Sequence, residues 1–343
     1  MFRTRTADPD NRNTTGIMPD TVKAIRIHET GGPDVMRWED VEIGVPGPGE
    51  VRLRHSAVGL NYIDVGHRSG SYPLPALPAV IGMEGAGVIE ALGEGVSGFA
   101  CGDRVSYCMV LGSYSQARII HADRLIKLDD DTAEETAAAA TLQGLTAHYL
   151  VRELYPVHEG DTVLVQAAAG GVGLLLCQWA KHLGATVLGT VGTKEKAALA
   201  TAHGCDHPIL YREKDFGEAV RELTKGRGVN VIYDAVGKDT FDKGLDVLAE
   251  RGWMVSYGQT SGPPQPVEAA RLGPKGLNLT RGGLNLFVRD PEIRARNAAE
   301  LFGLINDGVL KVRINQRYPL AKAATAHADL ESRKTTGSTI LEP

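Results

Sequence analysis

The stretch TVLVQAAAGGVGLLLCQWAKHLG, residues 162–184, carries the densest chemical signal in the chain. An apolar strand-like run meets Ala167, Ala168, Ala169, Gly170, Gly171, Val172 and Gly173, and a helix-like run follows at once. At such a strand-to-helix turn the first N–H groups of the helix lack backbone partners. Together with the helix dipole they form a site for a pyrophosphate. A Cβ there would block the phosphate or hold the helix away from the strand. The spacing is AxxGxxG rather than GxGxxG, and glycines alone fit a tight packing turn equally well. The strand before, the helix after and the βαβ rhythm downstream favour a dinucleotide.

The second strand-like run ends at residues 188–196, LGTVGTKEK. An NAD site usually places an Asp or Glu about 20 residues beyond the glycines to hold the ribose 2′-OH. No carboxylate stands at this strand tip. Gly192 leaves room there, and Lys194 and Lys196 bring positive charge for a 2′-phosphate, which predicts NADP(H). Tyr211 and Arg212, at the tip of the third run, could close the same pocket. Glu195 weighs against this reading, and the alternative for the lysines is a solvated helix face.

These residues need a scaffold, and the pattern supplies one. TVLVQA, ATVLGTV, HPILY and VNVIYDAV alternate with helical runs, the last of them ending near Lys225. A helix over residues 239–249 and strands in WMVSYG and LNLT extend the series to about six parallel strands with helices on both faces. Upstream, from Val22 to about Ala122, Gly and Pro punctuate short alternating segments, which predicts a compact all-β, barrel-like unit. Between the two lies DDDTAEETAAAATLQGLTAHYLVRE, an Ala-rich helix with acidic residues at its positive end. From about Gly283 a further helix leads to short strands ending in STIL, expected to rejoin the N-terminal unit.

The 343 residues suffice for about two domains. Lys and Arg number 37 against 42 Asp and Glu, a net charge of -5 without long single-sign runs, which argues against a broad nucleic-acid or anionic-membrane surface. No apolar window reaches the length of a membrane span. Cys101, Cys108, Cys177 and Cys205 form no CxxC pair, consistent with a reducing, cytoplasmic setting. Residues 1–20 read as a flexible tail with neither a secretory nor a clean transit pattern; a true start at Met18 would explain them equally.

The glycine segment extended to TKEK, GLNYIDVGHRSGSYPLPALPAVIGMEGAGVI, SYGQTSG and ESRKTTGSTILEP together resemble the zinc-independent medium-chain dehydrogenase/reductases, specifically NADPH:quinone oxidoreductases of the zeta-crystallin type. The likeness is collinear from Val22 to Pro343. It implies a GroES-like β domain over 21–144 and 283–343, a Rossmann domain with a doubly wound parallel sheet over 145–282, and a homodimer. It also implies site roles. Asn61 and Thr146 would lie at the nicotinamide, Gly170, Gly171 and Val172 at the pyrophosphate, and Gly192, Lys196, Tyr211 and Arg333 round the 2′-phosphate. Tyr257 would lie along the cofactor, with a strand-end core tyrosine as its alternative.

Zinc-containing relatives carry a Cys or similar ligand in the first of these loops and Gly-His-Glu in the second. Here the places read Asn61-Tyr62-Ile63-Asp64 and Gly82-Met83-Glu84-Gly85. Two carboxylates without His or Cys make a poor zinc site, and His55, His67 and His121 have no ligand-like spacing. Some close relatives have a tyrosine two residues beyond Asp64, where this chain has Gly66; the change could widen the pocket or pass a role to His67, which is otherwise expected to point to solvent. Tyr72 is retained. The expected activity is metal-free reduction of a quinone or conjugated carbonyl by NADPH, with Asn61 and Tyr72 orienting the acceptor. Reduction of an activated C=C bond and a non-enzymatic nucleotide-gated binding role are the alternatives.

Overall fold

The computed structural model describes residues 21–343; residues 1–20, read above as a tail, lie outside the described residues. TVLV at Thr162–Val165 is buried throughout and TVLGTV at Thr186–Val191 nearly so. Strands apolar on both faces suit the interior of a parallel sheet covered by helices. They pair in parallel, flanked on one side by His207–Leu210 and on the other by Val229–Asp234, Leu248–Ser256 and Asn278–Thr280. Numbered by position in the chain, the six strands run 3-2-1-4-5-6, the order of a full dinucleotide-binding sheet.

The helix expected over 239–249 is shorter, Phe241–Asp246. Leu248 is wholly buried and pairs with Val229 in the sheet, so the chain turns into strand as soon as the helix has covered the sheet face.

The N-terminal region forms antiparallel sheets, as its short alternating segments predict. Its largest, seven-stranded, contains the long strand Glu50–Leu60, which pairs with Glu84–Leu92 and Ala117–His121. The last strand of the chain, Ser338–Glu342, pairs antiparallel with Glu50–Leu60, so the C-terminus does rejoin the first region. This is a mixed α/β protein with a Rossmann sheet and a separate GroES-like strand assembly.

The helix Glu134–Tyr149 lies between the two. Every residue from Ala137 to Tyr149 is buried, and it packs on the strands Glu50–Leu60 and Glu84–Leu92 as well as on the helix Gly171–His182. A helix buried on every side is a core helix, and its alanines allow the sheets to approach closely. Its C-terminal turn widens over Leu150–Leu154. Among the described residues no helix is long and apolar enough to cross a membrane.

Candidate functional site

The glycine turn closes one side of a cavity of about 1360 Å³ between the six- and seven-stranded sheets. This exceeds the roughly 300–1,000 Å³ of an ordinary small-molecule site and suits a dinucleotide with a second reactant. Asn61, Tyr72, Thr146, Gly170, Gly171, Val172, Gly192, Lys196, Tyr211, Tyr257 and Arg333 all line it, although they come from both ends of the chain.

At the turn, Ala167 takes a left-handed backbone, φ 57°, and its carbonyl accepts the N–H of Gly170 at 3.0 Å. A Cβ on Gly173 would stand 2.4 Å from that carbonyl oxygen and 2.9 Å from the Ala168 backbone, so this glycine serves helix-to-strand contact. On Gly170 the nearest atom would be 3.4 Å away, so its side is open. The helix starts there with Gly170 as its N-terminal cap and no side chain bonding its first N–H groups. Gly337 N–H donates to the Ala169 carbonyl at 3.0 Å, tying the C-terminal segment to the turn.

That tie brings Arg333 to the far end of the cavity. Lys196 Nζ donates to the Arg333 carbonyl at 2.8 Å, across 137 residues of sequence. Burial, then repulsion from Arg212 and Arg333, lowers the Lys196 pKa from its ordinary value. Cations held together against their mutual repulsion are stabilised by an anion, and a ribose phosphate is the anion a dinucleotide offers here. Gly192 keeps the gap open, since a Cβ would lie 2.9 Å from the Tyr211 hydroxyl. Of the two lysines read from sequence only Lys196 lines the cavity; Lys194 is exposed on the helix Lys194–Thr201. Open turn, cationic cluster and the space between them fit a 2′-phosphorylated dinucleotide.

At the other end Asn61 caps the helix Tyr62–Ser69, a position that suits Asn. Its backbone N–H donates to Asp64 Oδ2 at 2.9 Å, and its side chain is held from both sides. Asn61 Nδ2 donates to Glu84 Oε2 at 2.7 Å, and Gln143 Nε2 donates to Asn61 Oδ1 at 3.2 Å. Thr146 Oγ1 donates one turn back to the Leu142 carbonyl at 2.7 Å. Tyr257 lies along the wall, its hydroxyl pKa raised by burial.

Glu84 is fully buried, and burial pushes its carboxyl up to about 8, opposed by the Leu142 N–H and the Asn61 amide. A carboxyl with a raised native pKa binds more protons folded than unfolded between its ordinary 4.5 and about 8, so its stabilising contribution is lost as pH rises through that window. Melting curves of the protein and of Glu84→Gln should therefore converge or cross in favour of the variant as pH is raised from 5 to 8. A difference that stays constant with pH would show that Glu84 does not titrate there.

Gly66 does not widen the pocket. The Tyr72 ring occupies the space, since a Cβ on Gly66 would stand 2.1 Å from Tyr72 Cδ2. His67 does not simply point to solvent: it is half-buried, its ring packs edge-on to Tyr72 at 5.9 Å, and Nδ1 is buried without a partner. The aromatic ring fills the volume that a larger residue at position 66 would have taken.

His55 is packed in the β region between the Ser115 carbonyl and the Tyr107 hydroxyl, while His121 is exposed. Among the described residues no three His, Cys, Asp or Glu side chains converge where they could hold a metal ion.

Sequence reading missed Gln143 and saw Glu84 only as half of an inadequate metal pair. Gln143 sits in an apolar run, AAAATLQGLTAHY, and Glu84 in another, IGMEGAGVI; a polar residue in such a run was the available signal.

Residues 47–130 match the alcohol dehydrogenase GroES-like domain, and residues 171–289 the zinc-binding dehydrogenase family. A quinone oxidoreductase of Pseudomonas aeruginosa is 47% identical over 323 residues, spanning 94% of this chain and 99% of the relative. A 2-haloacrylate reductase of a Burkholderia species is 44% identical over 331 residues, with 94% and 99% spanned. The crystal structure of Escherichia coli quinone oxidoreductase complexed with NADPH superposes with a TM-score of 0.91 at 43% identity, over 94% of this chain and all of that one. Fold and cleft together define a medium-chain dehydrogenase/reductase. Within that class the chain belongs to the quinone oxidoreductase family.

Proposed function

We propose that the protein binds NADPH and reduces quinones, with the acceptor stacked at the Asn61–Tyr72 end of the cavity. The carrying observation is a single cavity with an open glycine turn on one side, Lys196, Arg212 and Arg333 at one end, and Tyr72, Tyr149 and Tyr257 along its walls. NADPH, when bound, supplies the hydride. The protein's part is to hold two flat rings together, exclude water and offer hydrogen-bond donors to the oxygen that gains charge. In this reading Asn61 and Tyr72, which both line the cavity, are the side chains that do this. The quinone oxidoreductases of similar sequence support the reading.

The 2-haloacrylate reductase relative favours a second reading, reduction of an activated C=C bond in the same geometry. Steady-state turnover of NADPH with 1,4-benzoquinone and with an α,β-unsaturated ketone separates them; turnover of the ketone alone would replace the first reading with the second. We also place the two structural units at 21–144 with 283–343 and at 145–282. The free cysteines fit a cytoplasmic setting and the family resemblance a homodimer, which light scattering during gel filtration reads directly.

Gly66→Ala drives a methyl into the Tyr72 ring and must move it. The expected result is an acceptor KM raised several-fold, roughly the effect of one misplaced packing contact, with the NADPH KM unchanged. Unchanged KM for a series of quinones would remove Tyr72 from the acceptor site.

A further inference from the structure

Behind Asn61 runs a chain of buried hydrogen bonds that links the strand Glu84–Leu92, the helix Glu134–Tyr149 and the strand Ser338–Glu342. Glu84 Oε1 accepts the Leu142 N–H, and Glu84 Oε2 accepts Asn61 Nδ2 at 2.7 Å. Asn61 Oδ1 accepts Gln143 Nε2 at 3.2 Å, and Gln143 Oε1 accepts the Ser338 hydroxyl at 2.7 Å. All four side chains are buried. The fold makes room for two of them by omitting a Cβ. On Gly59 it would lie 2.4 Å from Glu84 Oε2, and on Gly171, in the glycine turn itself, 2.0 Å from Gln143 Oε1.

We propose that Glu84 and Gln143 are positioning residues that set which end of the Asn61 amide faces the cavity, and that this chain has two internally satisfied directions selected by the proton on Glu84. The inference rests on the proposed role of Asn61 beside the reacting rings.

The two directions follow from which donors can reverse. The Leu142 N–H is fixed, so Glu84 Oε1 must accept and any proton on Glu84 sits on Oε2. With Glu84 ionised, every bond runs as described. With Glu84 protonated, Oε2–H donates to Asn61 Oδ1, Asn61 Nδ2 donates to Gln143 Oε1, and Gln143 Nε2 donates to the Ser338 hydroxyl, which can turn to accept. Each direction pairs the Glu84 carboxyl with Asn61 and Asn61 with Gln143, whereas a mixed one sets donor against donor or acceptor against acceptor. The titratable groups facing Glu84 are Asp64 on the helix after Asn61, Tyr107 and Cys108 on the strand Arg104–Cys108, and Tyr114. They are acidic, and no cation among them holds Glu84 in its ionised form; burial acts in the same sense.

Glu84→Gln tests the idea because its geometry leaves one solution. Its Oε1 must accept the Leu142 N–H, so its amide N–H faces Asn61 and commits the chain to the reversed direction. Gln143→Glu offers Asn61 Nδ2 a second acceptor and takes the same direction while Glu84 keeps its proton on Oε2. Each variant should melt within a few degrees of the parent, keep its NADPH affinity within about threefold, and lose about 10- to 100-fold in kcat, as for a misdirected hydrogen-bond donor. The loss is read at a pH above the one at which Glu84 of the parent ionises, and the gap should close as pH falls and the parent takes up the same direction. The double variant should lose no more than either single one, because both reverse the same amide. Wild-type kcat in Glu84→Gln at that higher pH, or a double variant whose loss there is the product of the two, would overturn the proposal. If the parent reduces no quinone, the functional reading fails while the inference is still tested. Burial also raises the Asp64 carboxyl, which accepts the Asn61 backbone N–H, to about 7, so the comparison is made in an Asp64→Asn background. There the 15N-labelled Asn61 side-chain amide should shift as pH is raised through neutrality with Glu84 present and stay fixed in Glu84→Gln; a shift in both, or in neither, would sink it.

Discussion

Lys196→Ala should weaken NADPH binding by about 10- to 100-fold and leave NADH binding within about twofold. The loss corresponds to one charge-assisted hydrogen bond, roughly 1.5–3 kcal/mol. Lys196 earns this weight from its setting. It is half-buried, its pKa lowered by burial and by Arg212 and Arg333 beside it, and an added phosphate converts that repulsion into attraction. Removing Lys196 also frees the Arg333 carbonyl it bonds at 2.8 Å, so the C-terminal loop loses one tether. Lys194→Ala is the matched control, because Lys194 lies outside the cavity and should leave both affinities unchanged. Titration of nucleotide fluorescence measures all four combinations. Equal losses for NADPH and NADH in Lys196→Ala would show that this side chain does not read the 2′-phosphate.

The second large effect is expected at the glycine turn, where two glycines separate folding from binding. Gly173→Ala places a methyl 2.4 Å from the Ala167 carbonyl oxygen and 2.9 Å from Ala168 backbone atoms. That backbone cannot withdraw cheaply. Ala167 already has φ 57°, and Ala168 N–H is bonded to the Thr190 carbonyl at 3.0 Å. Overpacking of this kind costs about 1–3 kcal/mol and lowers the melting temperature by several degrees. The same displacement turns the first helical N–H groups away from the phosphates, with NADPH affinity falling by about 100-fold. In Gly170→Ala the added methyl meets nothing closer than 3.4 Å, so the free protein should melt like the parent while nucleotide binding is lost to the methyl in the phosphate path. Melting curves with and without NADPH read both. A Gly173→Ala protein that binds NADPH normally would remove the close-approach argument, and a Gly170→Ala protein that binds normally would place the pyrophosphate elsewhere.

Much of the scaffold was legible in the sequence because its signals are local. The continuous apolar strands, the helices between them and the glycines at the first turn each declare themselves within a few residues, and together they fix a parallel sheet with a phosphate-binding turn. The shortened helix at Phe241–Asp246 shows the limit of such reading, since what ends it is the pairing of Leu248 with a strand from elsewhere.

The sequence by itself determined the alternation of about six strands with helices, the absence of a carboxylate at the second strand tip and the lack of metal-ligand spacing between residues 61 and 85. Only the tertiary structure decided which cations meet and what holds Asn61. Lys196 and Arg333 are joined across 137 residues, Gln143 and Asn61 across 82, and Gln143 and Ser338 across 195. The physical reason is that helix and strand periodicity constrains neighbours a turn or a pleat apart. Contacts between residues far apart in sequence depend on how the whole chain closes, and here closure requires the last strand to pair with Glu50–Leu60 and Gly337 to bond the glycine turn.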